Sequence, residues 1–231
     1  MPRKARMYIP GIPCHVIQRG NNREASFFSD QDYQFYLECL YDACQRYSVL
    51  VHAYVLMTNH VHLLMTPLKK DSISLTMQSL GRRYVQYINK EYRRTGTLWE
   101  SRHKASLVDE DNYLLKCMRY IELNPVRANM VNHPEEYRWS SYLCNGLNGY
   151  NKLITAHKVY EALDSQAGDR AEAYRSLFDN EIDQADMNII RNAALFSMPT
   201  GNSRFKVQIE KIVNRKLGYA QRGRPLKDGI V

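Results

Sequence analysis

The hydrophobic periods of the chain predict an α+β fold: a ferredoxin-like split βαβ sandwich with a mostly antiparallel sheet, followed by a helical module. Three observations carry this. Strand-like and helix-like runs follow one another as strand–helix–strand–strand–helix–strand. Turn and capping residues punctuate those runs. The last third switches its charge against the rest.

Residues 13–19 (Pro-Cys-His-Val-Ile-Gln-Arg) alternate as a strand, and Gly20-Asn21-Asn22 turns the chain out of it. Ser29-Asp30-Gln31-Asp32 offers helix-start chemistry. Tyr33, Tyr36, Leu37, Leu40 and Cys44 then fall on one helical face, to about Arg46. Val49 to Met57, rich in Val, Leu and Tyr, reads as a mostly buried strand. Thr58-Asn59 makes a tight turn into a second strand, His60 to Thr66, closed by Pro67. Ser72 is expected to cap a helix on which Leu75, Leu80, Val85 and Ile88, at spacings of three to five residues, form an imperfect apolar stripe. After Thr95-Gly96-Thr97, residues 98–108 read as a fourth strand, and Asp109 to Glu122 as a helix with acids in its first turn. That helix ends near Asn124-Pro125.

Residues 151–190 carry four bases and eight acids, a net of −4, whereas 191–231 carry nine bases and two acids, a net of +7. This predicts a domain of residues 1–148 and a helical module of 149–231 with a basic tail. In that module Phe205, Ile209, Ile212 and Val213 mark an amphipathic helix, expected to stop at Gly218.

With 231 residues, 44% of them hydrophobic, the chain can bury a sizeable core. The net charge of +8 points to a polyanionic partner. Five scattered cysteines without a C-x-x-C pair argue against a disulfide framework or a structural zinc site. No apolar run approaches the ~20 residues of a membrane span, and residues 1–7 lack the apolar core of a signal peptide. The expectation is a cytoplasmic protein with no membrane partner.

His60-Val61-His62 is the sharpest local feature. Residues i and i+2 of a strand share one face ~6.6–6.8 Å apart, so two imidazoles at that spacing can converge on one metal ion while Val61 packs away. Two histidines suit a catalytic metal with open positions better than a closed structural site. Two half-exposed surface histidines would show the same spacing. Tyr120 and Asn124 lie one helical turn apart on one face. A free phenol titrates near ~10, so a tyrosine nucleophile needs a neighbour that favours the phenolate. With 17 tyrosines in the chain, packing is the ordinary role for any one of them.

Taken together, Met57-Thr58-Asn59-His60-Val61-His62 and Arg119-Tyr120-Ile121-Glu122-Leu123-Asn124-Pro125-Val126-Arg127-Ala128 resemble the single-tyrosine transposases of the HUH nuclease class. Gln18-Arg19-Gly20-Asn21-Asn22-Arg23 and Trp99-Glu100-Ser101-Arg102 extend the likeness, which covers roughly residues 5–145 and is strongest to REP-associated tyrosine transposases. The resemblance implies an HUH fold, His60, His62 and Asn124 as ligands of Mg²⁺ or Mn²⁺, and Tyr120 as the nucleophile that forms a 5′-phosphotyrosine link. It also implies single-stranded DNA with palindromic hairpins as the partner, in a bacterial cytoplasm at the nucleoid, for a monomer or homodimer. No Gly-x-x-x-x-Gly-Lys-Ser/Thr loop is present, in keeping with a reaction that conserves phosphodiester energy.

Single strands are gripped by basic grooves with aromatic platforms. Arg82, Arg83 and Tyr84, then Tyr92, Arg93 and Arg94, interleave in that way, and Arg19, Arg23, Arg102, His103 and Lys104 sit near the motifs. Arg222-Gly223-Arg224-Pro225 resembles the core of an AT-hook, which lays arginines in a narrow minor groove. Two alternatives compete: a catalytically silent binder of hairpin DNA or RNA, and an unrelated metallohydrolase. The second leaves Tyr120 and Asn124 without a role.

Overall fold

The computed structural model describes residues 6–218. In chain order the elements are β1 (Cys14–Arg19), α1 (Asp30–Tyr47), β2 (Val49–Met57), β3 (His60–Pro67), α2 (Ser72–Glu91), β4 (Lys104–Leu107) and α3 (Glu110–Glu122). Then follow α4 (Asn124–Arg127), α5 (Tyr142–Asn145), α6 (Lys158–Glu161), α7 (Ala167–Ser176), α8 (Gln184–Phe196) and α9 (Ser203–Ile212). The sheet order is β2-β3-β1-β4 and each neighbouring pair is antiparallel, the ferredoxin-like arrangement expected from the element order.

Register decides what each face of the sheet presents. Opposite β1, Ile17 pairs with His62 and Arg19 with His60, so these side chains project to one side. Cys14, Val16, Val61, Leu63 and Met65 project to the other, into a core shared with Tyr36, Leu40, Ile73, Leu80 and Tyr84 of α1 and α2. In β2 the register shifts between Val51 and Ala53, a bulge that admits His52 as an extra residue. The alternation reverses there. Val49 and Val51 join the α1/α2 core, whereas Ala53, Val55 and Met57 face α3. Both faces of β2 are thereby apolar.

Helix α1 starts with a capping box, in which Ser29 and Asp32 serve each other's backbone groups, and ends at Ser48 with φ 58°. Ser72 is not the cap of α2: Asp71 holds that position, and the Ser72 hydroxyl accepts from the Lys69 amide instead. The fourth strand is shorter than 98–108. Trp99 makes a single bridge to Gly20 and buries its ring, which breaks the alternation before Lys104. A Cβ at Gly20 would sit 2.3 Å from the Glu24 carbonyl oxygen, so only glycine permits this crossing of chains.

The C-terminal helices pack on the second face of the sheet. Tyr160, Tyr174, Ile182 and Ile190 share one core with Leu114, Cys117 and Ile121 of α3 and with Ala53, Val55 and Leu64 of the sheet. Helix α9 packs Phe205 and Ile209 into the first core. It stops at Ile212 rather than at Gly218, because Asn214 takes a positive φ of 47° directly after the cap Val213. All five cysteines are free. Among the described residues no helix is long and apolar enough to cross a membrane.

Candidate active site

Beside the C-terminal end of α3, a cleft of about 380 Å³ collects side chains from β1, β3, the segment 100–104, α3, α4 and α8. Its floor is Ile17, His60 and His62; Tyr120, Asn124 and Arg127 form one wall; Arg19, Glu100, Arg102 and Lys104 stand at the rim. The rings of His60 and His62 are 5.1 Å apart between centroids, and the Tyr120 ring lies edge-on 6.0 Å from His62. The Arg127 guanidinium sits 4.9 Å from the Tyr120 ring centroid, a cation held beside the phenol.

Both histidines are oriented from behind. His60 Nδ1 lies 2.6 Å from Asn59 Oδ1, an acceptor, which puts the proton on Nδ1 and leaves the Nε2 lone pair outward. Asn59 is itself anchored, its Nδ2 donating to the Arg23 carbonyl at 2.8 Å. His62 Nδ1 lies 2.8 Å from His15 Nε2 on the adjacent strand. If His62 donates across that contact, its Nε2 is free to bind a cation, and the His15 proton sits on Nδ1, a buried atom with no hydrogen-bond partner among the described residues. Burial, with the cationic Arg19 nearby, lowers His60 to about 4. Burial, then His15 and His60, hold His62 well below the ordinary imidazole value. Neutral imidazoles with fixed tautomers are what metal ligation requires.

Asn124 stands at the joint between α3 and α4. Pro125 has no amide hydrogen, so it cannot satisfy the Ile121 carbonyl four residues back. The Asn124 side chain does so instead: its Nδ2 donates to Ile121 O at 3.1 Å and to Tyr120 O at 2.8 Å. The amide is thereby locked, and Oδ1, an oxygen suited to hard cations, is the atom left for a ligand. The set of two imidazoles and one amide oxygen fits a divalent cation with open positions.

Helix α3 is fixed from its far side. The Glu122 carboxylate is fully buried and accepts from Ser141 Oγ, from Asn145 Nδ2 at 2.8 Å and from Tyr174 of α7 at 2.7 Å. Burial raises this carboxyl to about 7 against the pull of those donors.

The structure thus brings His60, His62, Tyr120, Asn124, Arg19, Arg102 and Lys104 into one cleft. The other basic candidates lie elsewhere. Arg82 lines a neighbouring groove with Arg6, Gln18 and Arg102. Arg83 pairs with Asp42 at 2.9 Å, and the Arg94 guanidinium lies over the Phe28 ring. Arg23 and Arg93 are exposed at turns with positive φ. Tyr84 is not a stacking platform, since it is fully buried and donates to the Ser26 carbonyl, and the hydroxyl of Tyr92 donates to Asp32. Successive helical residues point ~100° apart, so neighbours in sequence do not share a face. Arg222 and Arg224 lie outside the described residues. The two sequence motifs offered no reason to place His15, Asn59, Arg127 or Arg191 as site residues, although Asn59 and Arg127 fall within them. The strand period was a usable signal for His15, which shares a face with Arg19.

An antiparallel ferredoxin-like sheet with a histidine pair beside a helix-borne tyrosine defines a class of protein, and the sequence places the chain within it. Residues 9–124 match the family described as IS200-like transposases, and the chain belongs to that family. A candidate REP-associated tyrosine transposase from Haemophilus influenzae is 25% identical over 132 residues, 52% of this chain and 74% of its own. The fold is similar to that of a solved REP-associated tyrosine transposase bound to a REP hairpin, with a TM-score of 0.57 and 18% identity. That match covers 68% of this chain and 93% of the other.

Proposed function

We propose that the protein cleaves and rejoins single-stranded DNA carrying palindromic hairpins, with Tyr120 as nucleophile and with His60, His62 and Asn124 holding Mg²⁺ or Mn²⁺. The observation that carries this reading is the convergence of those four side chains in one cleft rimmed by Arg19, Arg102 and Lys104. When bound, the cation supplies Lewis-acid polarisation of the scissile phosphate. Tyr120 Oη loses its proton and forms a bond to phosphorus, the bond from phosphorus to the 3′-oxygen breaks, and that oxygen takes up a proton. The products are a 5′-phosphotyrosine link and a free 3′-hydroxyl. Attack by a 3′-hydroxyl on the link reverses the step and rejoins DNA. Arg127, against the Tyr120 ring, sets a cation beside the nucleophile. The chain would work in the bacterial cytoplasm, at the nucleoid.

The relatives support the choice of substrate, since one is a REP-associated transposase solved on a REP hairpin. The test is to incubate the protein and Mg²⁺ with labelled single strands bearing imperfect palindromes, then to separate covalent complexes under denaturing conditions. A protein–DNA adduct that EDTA prevents is the expected result. Hairpin binding with no adduct under any of these conditions would instead mark a silent binder.

A further inference from the structure

The matched family region ends at Asn124, yet the cleft does not. Three residues of α8, namely Arg191, Ala194 and Leu195, complete its lining, on a helix that packs against β1, β4 and α3. Their placement is built in. Ile190, Ala193 and Ala194 are buried beneath the helix, and Asp186 ties its first turn to Lys116 of α3 at 2.7 Å. After the helix, the Thr200 amide donates to the Leu107 carbonyl at 2.7 Å and the Asp109 amide donates to the Thr200 carbonyl at 2.8 Å. The chain therefore runs alongside the end of β4. A Cβ on Gly201 would come within 2.8 Å of Asp109 Cβ, so glycine permits that close approach.

Arg191 is exposed and has no hydrogen bond or ion pair with another described residue, although it lines the same cleft as His60 and His62. Arg191 adds to a cleft that already carries the cations of Arg19, Arg102, Lys104 and Arg127 against one carboxylate, Glu100, so the net positive field there favours a bound anion. Leu195, one turn on, is an exposed leucine on the same wall. Alternation of cation and apolar group along a wall suits a strand that presents phosphate and sugar or base in turn.

We propose that α8 is the outer wall of the DNA cleft, with Arg191 binding a backbone phosphate beside the scissile one and Leu195 packing on the adjoining nucleoside. This rests on the reading of the cleft as a single-stranded DNA site. Fluorescence anisotropy on a short single-stranded oligonucleotide tests it, with Tyr120→Phe as the background so that binding is read without chemistry. Adding Arg191→Ala should weaken binding about tenfold and reduce the slope of log affinity against log salt by about 0.7. Arg204→Ala, which removes an exposed arginine of α9, is the charge-matched control and should change neither. Arg191→Lys should restore most of the salt slope and less of the affinity. Equal binding and equal slope in Arg191→Ala and its parent would overturn the assignment. Cleavage by the otherwise unaltered protein separates the two readings. If no adduct forms while Arg191→Ala still loses binding, the chemistry fails and the wall stands. If the adduct forms and Arg191→Ala binds like its parent, the wall fails and the chemistry stands.

Discussion

The two faces of β1 and β3 carry opposite chemistry on the same few residues of chain. One face is dry: Val16, Val61, Leu63 and Met65 are buried against the aromatic core of α1 and α2. The other presents His60, His62 and Arg19, with their polar support from His15 and Asn59. A shift of one residue in register would exchange them, placing imidazoles in the core and Val61 in the cleft. The dry face is therefore what sets the geometry of the polar one.

The sharpest way to break this contrast is Val61→Asp, which forces an unpaired carboxylate into the apolar face. Denaturant unfolding should show a loss of about 3–5 kcal/mol, enough to leave the chain largely unfolded. A loss below about 1 kcal/mol would mean that this face does not hold the register.

On the polar side, His15→Leu removes the partner of His62 Nδ1 together with an atom that is already unsatisfied. Stability should hardly change, while Mn²⁺ binding measured by calorimetry should weaken about 10–100-fold. Unchanged Mn²⁺ affinity would show that His62 needs no orientation from behind.

Acid should act on the same face. Burial lowers His15 to about 3 and His60 to about 4, below the ~6.5 of an unfolded chain. Between those values the unfolded state binds more protons, so this contribution to stability is full above pH ~6.5 and is lost as the pH falls towards about 4. In EDTA, melting temperature should decline from pH 6.5 to 5, by the equivalent of about 1.5 kcal/mol per imidazole. His15→Leu should flatten the decline, and the same slope in both proteins would refute the assignment. The smallest effect belongs to Arg83→Ala on the outer surface of α2. Its pair with Asp42 is solvent-exposed, and neither stability nor DNA affinity should shift by more than about 0.5 kcal/mol.

The elements legible in the sequence are those whose signal is local. The 58–59 turn, the helix start at Ser29 and the two-residue spacing of His60 and His62 are each short-range, and the structure has them where the sequence puts them. The Tyr120–Asn124 spacing is local too. What stayed illegible depends on chain brought from far away. His15 meets His62 across 47 residues of sequence, and the bulge at His52 shows only once β2 is paired. Arg191 reaches the cleft from the far end of the chain. Within the basic and aromatic run 82–94, Tyr84 departs from the expectation for the converse reason. Adjacency in sequence was read as adjacency in space, whereas helical rotation turns Tyr84 into the core.

The central claim is that Tyr120, among 17 tyrosines, is the residue that bonds to DNA. Proteolysis of the covalent complex followed by mass spectrometry reads this directly. The account predicts a 5′-nucleotide on the peptide containing Tyr120, and its complete loss in Tyr120→Phe. A nucleotide on any other tyrosine, or an adduct that survives Tyr120→Phe, would contradict it.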